Sequence, residues 1–137
     1  VHKIVFDTNT LVSAVGWKGA PRKVFDLCID NKLKIVTSNE LIDEFIEVIF
    51  RPKFDFIQED VKLTIIRAII SISDIVDSKM KLNIIKEDEK DNKFLECALT
   101  GNAKFIISGD SHLLKLKEYE GIKIINASKF LKEYSSK

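Results

Sequence analysis

Four acidic residues stand where they could share one task. Asp7 closes the apolar run Ile4-Val5-Phe6, and Asp110 follows a second one, Phe105-Ile106-Ile107, after Ser108-Gly109. Asp91 opens a helical pattern, and Glu44 lies one turn inside another, on a polar stripe with Glu40, Asp43 and Glu47. Carboxylates pushed together repel and take up protons unless a cation compensates them. Hard carboxylate oxygens suit Mg2+ or Mn2+, which keep several waters and share ligation with phosphate. Such a pocket holds one ion, or two about 4 Å apart, and would attract a polyanion. Each acid also has a plainer account. Asp7 could cap the next helix, Asp91 could serve the helix dipole beside Asp88, Asp110 could be a turn residue, and Glu44 could simply be solvated.

The elements that must position these acids alternate along the chain. Lys3 to Phe6 reads as a buried strand, and Thr8 to Val15 as a short helix. A turn follows at Gly16 to Pro21, then a helix at Arg22 to Asn31 and a strand at Leu33 to Thr37. Thr37-Ser38-Asn39-Glu40 has capping-box form, with the hydroxyl at 37 and Glu40 three residues on, and opens a helix to about Phe50 that Arg51-Pro52 stops. Gln58 to Ser73 is a helix apolar on more than one face, so it is either sandwiched or part of a homodimer surface. Asp74 to Asp77 is a weak strand, and Lys81 to Lys86 is irregular. A helix from Asp91 to Gly101 precedes the strand Lys104 to Ser108. Ser111 to Leu116 is a short helical piece, Ile122 to Ile125 the last strand, and Ala127 to Tyr134 the closing helix. Residues 135–137 are expected to fray.

This alternation means α/β: a mainly parallel sheet covered by helices on both faces, forming one domain over residues 1–137. Parallel strands bring Asp7 and Asp110 to the same sheet edge, and βα crossovers bring helix amino ends there too. The four acids can therefore meet.

Composition sets the limits. The 137 residues are 45% hydrophobic and 31% charged, which is globular, and no apolar run approaches the roughly 20 residues of a membrane span. Val1-His2-Lys3 leads directly into the first strand, so no signal peptide is expected. Cys28 and Cys97 lack metal-site spacing and read as buried, reduced core residues, which makes a cytoplasmic location the expectation. A net charge of +1 is too low for nucleic-acid binding by charge alone. Any such binding must rest on local patches or on bound metal.

Phe6-Asp7-Thr8-Asn9-Thr10-Leu11, Thr37-Ser38-x-x-Leu41-x-x-Glu44, Asp88-x-x-Asp91-Asn92-x-Phe94-Leu95-x-x-Ala98 and Ile107-Ser108-Gly109-Asp110-x-x-Leu113-Leu114 together resemble the PIN domain family of metal-dependent ribonucleases. The resemblance covers nearly the whole chain. It implies a three-layer sandwich with strand order near 3-2-1-4-5 and endonucleolytic cleavage of single-stranded RNA. It also implies the toxin half of a toxin–antitoxin pair, with a cognate antitoxin as partner. The family's acidic quartet falls on Asp7, Glu44, Asp91 and Asp110. Asp7, Asp91 and Asp110 would hold the Mg2+ or Mn2+, with Glu44 completing the shell or orienting the attacking water. Asn9 would orient a carboxylate or a metal-bound water, and Ser108 would bond Asp7 or Asp110. One departure is His112, where members often carry a further Asp. It favours one metal over two, and the residue reads as a surface or supporting position.

Lys18, Arg22 and Lys23 near the first loop, and Arg51 and Lys53 after the Glu44 helix, could contact phosphates from the rim. Trp17 could stack a base or form a dimer contact. Asp7-Thr8-Asn9-Thr10-Leu11 also resembles the nucleophile box of haloacid-dehalogenase-like phosphatases. There, however, an acid belongs at 9, a cap domain is missing, and Glu44 and Asp91 go unexplained. A catalytically silent PIN-like module that binds RNA or protein is the other alternative.

Overall fold

A computed structural model describes residues 1–135, so the expectation for 136–137 lies outside the described residues. The chain runs β1 (His2–Phe6), α1 (Thr8–Gly16), α2 (Ala20–Ile29), β2 (Leu33–Thr37), α3 (Asn39–Ile49), α4 (Glu59–Ile72) and β3 (Ser73–Ile75). It continues with α5 (Asn92–Thr100), β4 (Phe105–Ile107), α6 (Ser111–Leu116), β5 (Glu118–Tyr119), β6 (Ile122–Ile125) and α7 (Ala127–Ser135). Short 3-10 turns at Pro52–Phe54 and Glu89–Asp91 follow α3 and precede α5.

The sheet order is β3-β2-β1-β4-β6-β5, parallel except for the β5–β6 pair. The sequence expectation of 3-2-1-4-5 holds with β6 as its fifth strand. The added edge strand β5 is two residues long and turns into β6 through Glu120 and Gly121, both at positive φ. That is the backbone of a tight two-residue hairpin, but Glu-Gly lacks the usual Asn-Gly signature, so the sequence does not announce it.

Period-two alternation sorts the strands onto two cores. Ile4, Phe6, Ile35, Ile107 and Ile125 point into a cluster with α1, α2, α3, α4 and α7 residues such as Leu11, Phe25, Phe45, Ile66 and Phe130. Val5, Val36, Ile106 and Ile124 point the other way, onto Phe94, Leu95, Cys97 and Ala98 of α5 and Leu113 of α6. Burial on both faces is why these strands read as continuous apolar runs. Cys28 and Cys97 are buried and unpaired, and burial pushes both thiols up to about 12. On α4, Ile66 and Ile69 are buried while Val61, Leu63 and Ile70 remain exposed. No helix among the described residues is long and apolar enough to cross a membrane.

Two local details depart from the sequence reading. Ser38, not Thr37, caps α3, its Oγ accepting from Leu41 N at 3.2 Å, so Glu40 falls one residue short of a capping box. Thr37 instead ends β2, where its carbonyl accepts from Val76 N at 2.8 Å.

Gly101 ends α5 directly over β2. A Cβ built there would sit 2.2 Å from Cγ1 of Val36, a buried β-branched residue with little freedom to yield. Gly101→Ala should destabilise the fold by about 2 kcal/mol through overpacking. Denaturant unfolding of Gly101→Ala with and without Val36→Ala checks this, since relief by the second change is expected only if the clash is the cause.

Candidate metal centre

β1 and β4 are neighbours in register, Phe6 opposite Ile107, so the residues just beyond them meet at the carboxyl edge of the sheet. Asp7 N still donates to Ile107 O at 3.1 Å. The Asp7 side chain is buried and both its oxygens are engaged: Oδ1 accepts from Thr10 N at 2.7 Å, and Oδ2 accepts from the Ser108 hydroxyl. Ser108 Oγ in turn accepts from Asp110 N at 2.9 Å. One hydroxyl therefore ties the two strand-end acids together. Asp110 caps α6, Oδ1 accepting from His112 N at 2.8 Å and Leu113 N at 3.2 Å. For Asp7 and Asp110 the capping account and the pocket account are both satisfied, because a cap at a strand–helix junction faces the same edge.

Asp91 ends the 3-10 turn before α5 and makes no capping bond. It is buried, and its Oδ2 has no hydrogen-bond partner. Burial first, then the charges of Asp110 and Asp88, a hydrogen bond of the protonated form to Asp110 and the charge of Asp7, push its carboxyl up to about 7. Burial also raises Asp7, outweighing the hydrogen bonds from Ser108 and Thr10, with Asp110 adding to the rise. An orphaned buried oxygen among mutually repelling carboxylates fits a hard divalent cation, which would satisfy the oxygen and remove the repulsion.

Glu44 projects from α3 into the same cleft, but it is already partnered. Its Oε1 accepts from the Thr8 hydroxyl and its Oε2 from the Lys93 ammonium of α5. The sequence expectation for Glu44, completing the metal shell or orienting the attacking water, names neither of these partners, Thr8 and Lys93. Asp7, Asn9, Glu44, Asp91 and Asp110 line a cleft of about 280 Å³ together with Asp88, Lys90, Lys93 and Arg51. On the other side of Asp7 and Asp110 lies a larger cleft of about 630 Å³, lined mostly by uncharged residues including Thr10, Ser13, Ser108, Asn126 and Ser128. Asn9 is exposed at the junction of the two. Asp88, Asp91 and His112 offer ligand atoms that all lie within 4.8 Å of one another.

The basic residues expected at the rim divide. Arg51 lines the acidic cleft, its Nη2 held by Glu47 at 2.8 Å. Arg22 is turned away: its guanidinium caps the carboxyl end of α1, Nε on Ala14 O and Nη2 on Val15 O at 3.0 Å. A helix end with orphan carbonyls is the stronger claim on that side chain. Lys18 is exposed but lines neither cleft. Trp17 follows the carboxyl end of α1, where its ring packs against Phe54 and Phe56 at 5.7 and 5.8 Å and remains 46% exposed.

A family model described as PIN domain matches residues 3–112, a stretch that holds all four acids. No curated protein matches the chain.

Proposed function

Because the chain belongs to the PIN domain family, a nuclease-type fold, we propose that it is a metal-dependent ribonuclease that hydrolyses phosphodiester bonds within single-stranded RNA. The observation that carries this reading is the buried, unpartnered Oδ2 of Asp91, set among Asp7, Asp88 and Asp110.

Asp7, Asp91 and Asp110 would hold Mg2+ or Mn2+. Such an ion, when bound, lowers the pKa of a coordinated water and neutralises charge on the scissile phosphate. The chain's own residues do the rest. Ser108 fixes Asp7 and the turn carrying Asp110 in one arrangement, so the ligands need no reorganisation. Lys93 places a positive charge beside Glu44 in the cleft that Lys90 and Arg51 also line, where it can meet a phosphate oxygen while Glu44 orients water. Asn9 sits where the two clefts meet, in reach of a strand that passes from one to the other. The uncharged cleft, rich in hydroxyls and amides, suits sugar and base edges, and Arg51 at the other rim suits a phosphate.

The test is cleavage of unstructured RNA. Cutting is expected with Mg2+ or Mn2+, is expected to stop in EDTA, and should return when metal is restored. A folded protein that binds metal yet cuts none of a set of unrelated single strands would instead be a silent RNA- or protein-binding module. The motif order that resembles toxin components supports the further reading that the chain is the toxin of a toxin–antitoxin pair. Growth arrest on expression, relieved by the gene product encoded beside it, is the outcome expected.

A further inference from the structure

Asp88, Asp91 and His112 come from separate elements: the entry to the 3-10 turn, its end, and the second residue of α6. Their ligand atoms lie within 4.8 Å of one another. Donors on a single zinc stand roughly 3 to 3.5 Å apart, and the exposed His112 and half-buried Asp88 side chains are the two members with room to draw in toward Asp91. The base of that ring is fixed, because His112 N is held by Asp110 Oδ1. Asp88 Oδ1 accepts from Lys90 N at 3.2 Å, which leaves its second oxygen for a ligand. The group is more than a surface cluster of acids. Its central member, Asp91, is 8% exposed, and one of its carboxylate oxygens has no partner.

We propose that Asp88, Asp91 and His112 form a second cation site that shares Asp91 with the catalytic acids and takes a nitrogen-accepting transition metal ion, Zn2+, in preference to Mg2+. The imidazole supplies the selectivity: carboxylates alone suit Mg2+, whereas a ring nitrogen favours later, softer ions. Three protein donors are fewer than a zinc ion takes, so water or a phosphate oxygen would complete its coordination, and Asp88 and Asp91 line the acidic cleft together with Lys90. The proposal rests on the metal-centre reading only through the shared Asp91, and it is measured without RNA.

The chain has two histidines, His2 and His112, so the imidazole nitrogen spectrum contains two ring systems and His112→Asn assigns them. Zn2+ titrated into the RNA-free protein is expected to shift one ring nitrogen of His112 and leave His2 unmoved. Asp88→Asn and His112→Asn should each weaken Zn2+ binding by about tenfold or more, and His112→Asn should change Mg2+ affinity by less than about twofold. A His112 ring that does not respond at saturating Zn2+, or Zn2+ binding by His112→Asn equal to wild type, overturns the site. The two readings separate cleanly. If RNA is not cut but His112 responds, the ribonuclease reading fails and the cation site stands. If Mg2+ supports cutting and His112 is silent, the cation site fails alone.

Discussion

Asp91→Asn is expected to lower metal-dependent RNA cleavage by about a thousandfold or more while making the metal-free protein more stable. The loss follows because an amide cannot replace a carboxylate as a ligand for a hard cation. The gain follows from linkage. The Asp91 carboxyl titrates near 7 in the folded chain against 3.8 in the unfolded one, so the folded state holds the proton more tightly. Stability from this group is therefore full below about 3.8, falls as pH rises toward about 7, and stays low above it. The raised Asp7 carboxyl acts in the same direction. At pH 8, removing the buried charge should raise the thermal midpoint by roughly 5 °C, equivalent to about 1–2 kcal/mol. At pH 5 the gap should shrink, because the wild-type carboxyl is then protonated. Mg2+ should raise the wild-type midpoint at pH 8 and leave the variant where it is. Calorimetry at both pH values, with EDTA and with Mg2+, checks all four statements. A variant with full activity would remove Asp91 from the site, and equal midpoints at pH 8 would remove the repulsion argument.

Asn92→Ala should give the largest loss of stability from a single side chain at the site. The chain from 76 to 88 crosses back toward α5 without regular structure, and α5 side chains supply the bonds it lacks. Asn92 Oδ1 accepts from Ile84 N at 3.0 Å and Ile85 N at 2.9 Å, and its Nδ2 donates to Ile85 O at 2.9 Å and Glu89 O at 3.1 Å. Glu96 Oε2 adds a bond from Leu82 N at 2.8 Å. Truncating Asn92 strands the backbone of Ile85, which is buried, and should destabilise the fold by about 3 kcal/mol. Activity should fall with it, since the same clamp sets the turn that carries Asp88 and Asp91. Asn92→Asp keeps the acceptor and loses both donations, so it should fall between. Denaturant unfolding orders the three proteins, and amide exchange at Ile85 should accelerate most in the alanine variant. Unchanged exchange there would show that the clamp does not hold the segment.

The contrast between these two residues explains what the sequence discloses. Asp7 and Asp110 are legible because each follows an apolar run, and a parallel sheet leaves such residues at one edge. The alternation gives a mainly parallel sheet, whereas the order of its strands comes only with the resemblance to the PIN domain family. The partners of Glu44 are not legible: Thr8 lies 36 residues away and Lys93 lies 49 away, and no spacing rule reaches across different elements. Arg22 misleads for a related reason, because a rim cation and a helix cap look alike until the carbonyls of Ala14 and Val15 are seen. Asn92 stands in the quoted motif, yet its four bonds go to a stretch with no periodicity of its own. Edge strand β5 is two residues long, too short for alternation to register.

The adjacency of β1 and β4 also has a bearing on how the chain is made. The bond from Ser108 to Asp7 spans 101 residues. On the ribosome, β1 and β2 emerge early and can pair, but the slot on the other side of β1 stays vacant until β4 arrives. A nascent chain that has released Asp7, Glu44 and Asp91 still lacks the hydroxyl that ties the centre together and the acid that completes it. For an enzyme proposed to cut RNA, synthesised along RNA, this topology acts as a timer. The blade is assembled only once β4 and the Ser108–Asp110 turn have followed β1 out.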